Sequence, residues 1–161
     1  MSQQDAPLEF LHPQHWKRAR GYANGVAGVG RLVFIAGQVG WNAEQQFESQ
    51  DFVSQVRQAL QNIVEIVRVA GGEPAHIARL TWFITDRREY LSRLPEVGEA
   101  YRGVMGNHFP AMTMVEVSAL MEDEAKVEIE ASAVVPHISR AHANAERRGS
   151  PESPDDSAGP L

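Results

Sequence analysis

Residues 107–117 read Asn-His-Phe-Pro-Ala-Met-Thr-Met-Val-Glu-Val, a turn followed by a strand. Pro110 biases the His108-Phe109 pair before it toward an extended or turn conformation. Apolar and β-branched residues then alternate. The alternation puts Thr113, Val115 and Val117 on one face, expected to meet a core, and Met112, Met114 and Glu116 on the other. A glutamate beside two methionines is an odd composition for a plain solvent face. That second face is expected to form the wall of a pocket or a subunit interface.

Working outward, residues 51–70 carry the clearest helical pattern. Phe52, Val56, Ala59, Leu60, Ile63, Val67 and Ala70 recur at spacings of three and four. Ser49 or Asp51 can cap the start, and Gly71-Gly72 ends it. Gln55, Arg57, Gln58, Gln61, Glu65 and Arg68 are expected on its wet face. A second helix is predicted over 95–105, with Pro95 in its first turn and Val97, Tyr101, Val104 and Met105 inward. Gly98 and Gly103 weaken it, and a glycine inside a helix often marks the close approach of another group.

Strands are predicted over 21–27, 32–36, 77–85, 112–117 and 126–135, with a short one near Phe47 left open. The continuous apolar run Leu32-Val33-Phe34-Ile35-Ala36 implies burial on both faces. Gly28-Val29-Gly30 reads as a hairpin turn, since no helix follows it as a nucleotide fingerprint would need. In 126–135, Val127, Ile129, Ala131 and Ala133 point one way and Lys126, Glu128, Glu130 and Ser132 the other. The result is an α+β class, a five- or six-stranded β-sheet with two helices packed on one face. Met112, Met114, Glu116, Glu128 and Glu130 then fall on the bare side, too mixed for a monomer core and too apolar to be fully wet. A closed homo-oligomer with clefts between subunits would resolve this.

The chain has 161 residues, 43% of them hydrophobic and 22% charged, the balance of a single soluble domain. We divide it into a loosely held arm, 1–15, a domain, 16–136, and a tail, 137–161, whose lack of large apolar residues predicts disorder. There is no cysteine, which removes disulfides, thiolate metal sites and a cysteine nucleophile. No apolar run reaches membrane-spanning length and no signal-peptide core is seen, so the expected compartment is the cytoplasm. A net charge of −6 argues against a nucleic-acid surface, and Lys17, Arg18 and Arg20 read as a solvated segment. The histidines share no ligand spacing, so neither a metal nor another cofactor is expected.

The ordered chain resembles the RidA/YjgF/endoribonuclease L-PSP superfamily over about residues 20–136. The resemblance rests on the order of several stretches: Gly-Tyr-Ala-Asn-Gly-Val (21–26), Leu-Val-Phe-Ile-Ala-Gly-Gln (32–38), Gln-Ala-Leu-Gln-Asn-Ile (58–63), Phe-Pro-Ala (109–111), Val-Glu-Val (115–117) and Val-Glu-Ile-Glu-Ala (127–131). It implies a YjgF/chorismate-mutase-like fold, a mixed β-sheet with two helices on one face, and a homotrimer with ligand pockets between subunits. It also implies hydrolysis of reactive imines and enamines, the chemistry of the best-studied branch. In that branch an arginine after Phe-Pro-Ala clamps the substrate carboxylate; here Met112 stands in its place. Ala36 stands where a serine is usual, and Met114 where a small residue is common. The family's tyrosine and water-positioning glutamate match Tyr22 and Glu128. Methionine offers dispersion and a soft surface rather than a charge-assisted clamp, so a more apolar pocket is expected.

The candidate site is therefore Glu128 and Tyr22 as catalytic groups, with Ala36, Gly37, Met112, Met114, Trp41 and Trp82 around the substrate. Each has a plainer reading. Glu128 can pair across a subunit interface, with Lys126 or a neighbour's arginine, Tyr22 can simply pack, and the methionines can fill an interface. His108 is read as a loop residue rather than a base. Two further functions stand beside the hydrolase: a non-catalytic trimer that binds a metabolite, and an endoribonuclease, which neither the charge nor a histidine pair supports.

Overall fold

Asp51 starts the longest helix, α1 (Phe52–Val69), and its carboxylate accepts a hydrogen bond from the Ser54 amide at 2.9 Å. The computed structural model describes residues 8–137. At the other end of α1, Gly71 has φ +80° and donates to the Arg68 carbonyl, while Gly72 donates to that of Val67. These two bonds form a Schellman stop, which is why the glycine pair ends the helix. Phe52, Val56, Ala59, Leu60, Ile63 and Val67 are buried along the predicted stripe.

Gln55 departs from the pattern. Placed on the wet face by its spacing, it is 1% exposed. Its side-chain nitrogen donates to the Ser49 and Glu124 carbonyls, and its oxygen accepts from the Lys126 amide at 2.8 Å. A polar side chain is buried here because three loop groups satisfy it.

The other elements are β1 (Leu8–Leu11), β2 (Gly25–Gly28), β3 (Arg31–Val39), β4 (Ile77–Ile84), α2 (Arg87–Ser92), α3 (Leu94–Met105), β5 (Ala111–Glu116) and β6 (Val127–Val135). Four strands form a mixed sheet in the order β3-β6-β4-β5. β4 and β5 are parallel, and β6 is antiparallel to both its neighbours. Helices α1 and α3 share one hydrophobic core with the sheet, through Leu60, Ile63, Val97, Ala100, Leu80 and Ile129 among others. The other sheet face carries no helix among the described residues, and on it Leu32 is 63% and Phe34 78% exposed.

Several expectations are corrected. The arm is not loose from Leu8 onward, because β1 pairs antiparallel with β2 in a separate two-stranded ribbon. Residues 1–7 and 138–161, which hold the rest of the predicted arm and tail, lie outside the described residues. Gly28-Val29-Gly30 is no hairpin turn, since β2 pairs with β1 and β3 with β6. No strand forms near Phe47. The apolar run of β3 is buried on one face alone within a single chain. A third helix, α2, lies before α3; Asp86 caps it by accepting from the Arg88 and Glu89 amides. Its six residues are too few to show a helical period.

The largest correction concerns β5. Leu80 lies opposite Met112 and Trp82 opposite Met114, so both methionines share the face of the buried Leu80 and Trp82, the helix side. Thr113 and Val115 are on the bare face and exposed. The alternation was read correctly, but which parity met the helices was reversed. Alternation fixes two faces without naming them, and Glu116 made the buried one look wet.

Candidate functional site

Behind β5 lies a hollow of about 330 Å³. Met112, Met114 and Trp82 line it from the sheet, and Tyr90, Leu94, Val97, Gly98, Tyr101 and Arg102 from the helices. Phe109 and Gly21 complete the wall. Pro110 turns the chain so that Phe109 stacks on Tyr101, centroids 5.3 Å apart, and Tyr101 in turn stacks on Trp82 at 6.3 Å. The Tyr101 hydroxyl donates to the His108 carbonyl at 2.7 Å, and burial pushes its pKa up. Burial raises Tyr90 as well. Both phenols are thus neutral walls, not bases. The Trp82 Nε1–H is buried without an acceptor among the described residues.

The opposite sheet face holds a different cluster. Ile35 pairs with Ala131 and Gln38 with Ile129, so Ala36 and Gly37 together face the single residue Glu130. This is a β-bulge, and it brings the backbone of Gly37 under the side chain of Glu128. A Cβ on Gly37 would stand 2.0 Å from Glu128 Oε1 and 2.8 Å from its Cδ. Only glycine leaves the carboxylate that seat. Glu128 is half-buried and lies opposite Phe83 of β4. Lys126 is not its partner: the ammonium sits 3.1 Å from Glu89.

The predicted site residues therefore fall into groups. Met112, Met114 and Trp82 come together in the hollow, while Glu128, Ala36 and Gly37 come together on the bare face. Tyr22 is exposed and follows Gly21, which lines the hollow. Trp41 joins neither: its ring lies 6.0 Å from that of Phe47, and its carbonyl accepts from Asn62. Glu128 is thus not beside the methionines, as was expected from their shared parity. His108 is structural, its Nε2 2.7 Å from the Ile77 carbonyl.

Sequence reasoning missed Tyr90, Leu94 and Arg102. The signal available for Arg102 was Gly98, four residues earlier on the same helix face. No group of three or more metal-ligating side chains is present among the described residues. No helix among them is long and apolar enough to cross a membrane.

The family described as Endoribonuclease L-PSP matches residues 14–135. The 2-iminobutanoate/2-iminopropanoate deaminase of Salmonella typhimurium is 34% identical over 116 residues, 70% of this chain and 86% of the relative. The human protein of the same name is 30% identical over 66% of this chain and 74% of its own length. Among solved structures, the Rid-family protein YyfB of Yersinia pestis superposes with a TM-score of 0.72 at 29% identity, covering 80% of this chain and 99% of its own. The α+β architecture of a mixed sheet with helices on one face is the one these structures share. Fold, order of elements and sequence agree that the chain belongs to the endoribonuclease L-PSP family, the YjgF/Rid proteins.

Proposed function

We propose that the protein is a homotrimeric small-molecule hydrolase of the Rid type, acting in the cytoplasm on imine, enamine or related reactive carbonyl metabolites in pockets between subunits. The observation that carries this reading is the Glu128 carboxylate seated on the bare backbone of Gly37, on a sheet face that leaves Leu32 and Phe34 exposed. An apolar face of this kind favours cover by another copy. Such a copy would bring its own hollow, with Met112 and Met114, against Glu128. The names of the relatives supply the reaction class.

In that arrangement Glu128 accepts a proton from water as the water oxygen bonds to the imine carbon. The proton passes to nitrogen, giving a carbinolamine; the hydroxyl proton of this adduct then moves through Glu128 to nitrogen, the carbon–nitrogen bond breaks, and ammonia leaves as the carbonyl forms. The backbone of Ala36-Gly37 holds the substrate, and Tyr22 supplies a hydroxyl at the mouth. No cofactor enters the step. Met112 offers no clamp for a small 2-imino acid, so the activity for which the relatives are named is not carried over unchanged.

Imines generated by an amino-acid oxidase, with loss of the intermediate followed in the presence of the protein, test the reading. Acceleration over buffer that vanishes in Glu128→Gln supports it. No acceleration across small and aromatic imines refutes it. A second reading, a metabolite-binding trimer without turnover, is favoured by the placement of Glu128 and the hollow on opposite faces of one chain. Saturable binding without hydrolysis would select it. Ribonuclease activity finds no support in a chain of net charge −6.

A further inference from the structure

The hollow behind β5 has lost the family's arginine at Met112, yet a guanidinium still lines it. Arg102 reaches it from α3. Its side chain runs back toward the helix N-terminus, as long helical side chains do, and crosses Gly98. A Cβ on Gly98 would meet Arg102 Nη1 at 3.2 Å, tighter than an ordinary contact, so the glycine leaves room for the guanidinium at the hollow. Glycine inside a helix is unfavourable, and Gly103, five residues on, has nothing near it. The close approach expected of these glycines is met at Gly98.

Among the described residues no carboxylate lies within ion-pair distance of Arg102; Arg93 pairs with Asp51 and Glu96, and Glu89 with Lys126. The rest of the wall is aromatic and aliphatic: Trp82, Tyr90, Tyr101, Phe109, Leu94 and Val97.

We propose that the ligand of this hollow is an organic acid with a bulky apolar or aromatic body, its carboxylate held by Arg102 and its body lying against the Trp82–Tyr101–Phe109 stack. This rests on the hydrolase reading and names its substrate class: imino acids larger than those a clamp at position 112 would select. The anion contact has moved across the hollow, from the strand to the helix. With Met112 in place of a long cationic side chain, the sheet wall is free for the body of the ligand.

Titration calorimetry on the full chain tests this with phenylpyruvate, pyruvate and benzylacetone, which respectively carry body and acid, acid alone, and body alone. Phenylpyruvate is expected to bind at least about tenfold more tightly than either, the size of one charge-assisted contact. Arg102→Met should bring phenylpyruvate to the level of benzylacetone and leave benzylacetone unchanged, and Arg102→Lys should restore part of the difference. Arg102 is exposed, so neither change disturbs the core. Equal phenylpyruvate affinity in wild type and Arg102→Met, with benzylacetone still bound, overturns the acid contact and leaves the hollow as a ligand site. Absence of binding by all three compounds overturns both this proposal and the pocket on which it rests.

Discussion

Replacing Gly37 with alanine should remove hydrolysis while leaving the fold intact. The new Cβ would lie 2.0 Å from Glu128 Oε1, 2.8 Å from Cδ and 2.9 Å from Cγ. The carboxylate must retreat by about 1.5 Å to regain ordinary contact near ~3.5 Å. A shift of about 1 Å in a reacting group can lower a rate about a hundredfold, so kcat/KM for the best imine should fall by about that factor. Stability should change little. Gly37 is not among the glycines with positive φ, so alanine fits the backbone there and restricts the unfolded chain. The carboxylate, at the end of a flexible chain, can turn outward. The decisive measurement is a cycle with Glu128→Gln in the oxidase-coupled assay. If Gly37→Ala acts by displacing Glu128, the double variant should be no slower than Glu128→Gln alone. A full-rate Gly37→Ala enzyme refutes the role given to the carboxylate, as does an undiminished hundredfold loss in the Glu128→Gln background.

Four further outcomes follow from the same geometry. Gln55→Leu strips the partner from the Lys126 amide and from two carbonyls, and should destabilise the chain by about 2–3 kcal/mol in urea titration; a change below about 0.5 kcal/mol would show that water replaces it. Asp51 is held at a pKa of about 2, below its ordinary 3.8, chiefly by its hydrogen bond from Arg93 and also by that from the Ser54 amide. Its contribution is present above the ordinary value and lost as pH falls through about 2, so Asp51→Asn, which keeps a cap, should flatten the acid-denaturation curve between pH 4 and 2. The side chain is 41% exposed, so the effect should stay near ~0.5 kcal/mol. Phe34→Lys, on the bare face, should yield monomers by light scattering and abolish turnover; an active monomer would contradict the shared pocket. Met112→Arg places a second guanidinium in the hollow and should raise kcat/KM for small imino acids about tenfold, and no gain would count against the hollow as the substrate site.

Much of the fold was legible because its signals are local. Asp51, the three-and-four spacing of α1 and Gly71-Gly72 state a helix with both its ends. The alternation of β6 fixed its buried face at Val127, Ile129, Ala131 and Ala133. The site was less legible because its signals depend on partners distant in sequence. Gln55 looks wet until Ser49, Glu124 and Lys126 surround it. The parity of β5 is set by Leu80 and Trp82 on the neighbouring strand, which no spacing within 111–116 reveals. Arg102 belongs to the hollow because Gly98 lets it cross the helix, a relation visible as spacing only once a cavity is known to lie there.

The two halves of the site differ in what they lack, and each lack points at the other. The hollow is apolar and aromatic, with one guanidinium, but none of its lining residues carries a carboxylate to activate water. The bare face has the carboxylate, seated on a backbone that only glycine can provide, but further along that face Leu32 and Phe34 stand exposed. Met112 and Glu128 point to opposite sides of one sheet, and β4 lies between their strands. No side-chain rotation carries either through the hydrogen-bonded layer, because backbone pairing fills it. Hydrolysis by a single copy would therefore require β5 or β6 to flip its face, a one-residue slip that exposes every core residue of the strand. A second copy would supply the missing half without moving either strand. Mixing inactive Glu128→Gln chains with inactive chains altered in the hollow, such as Met112→Asp, should thus restore turnover through hybrid pockets that hold one intact half from each parent. If exchange of subunits is demonstrated and activity does not return, each chain carries its own complete site and the two-copy argument is wrong.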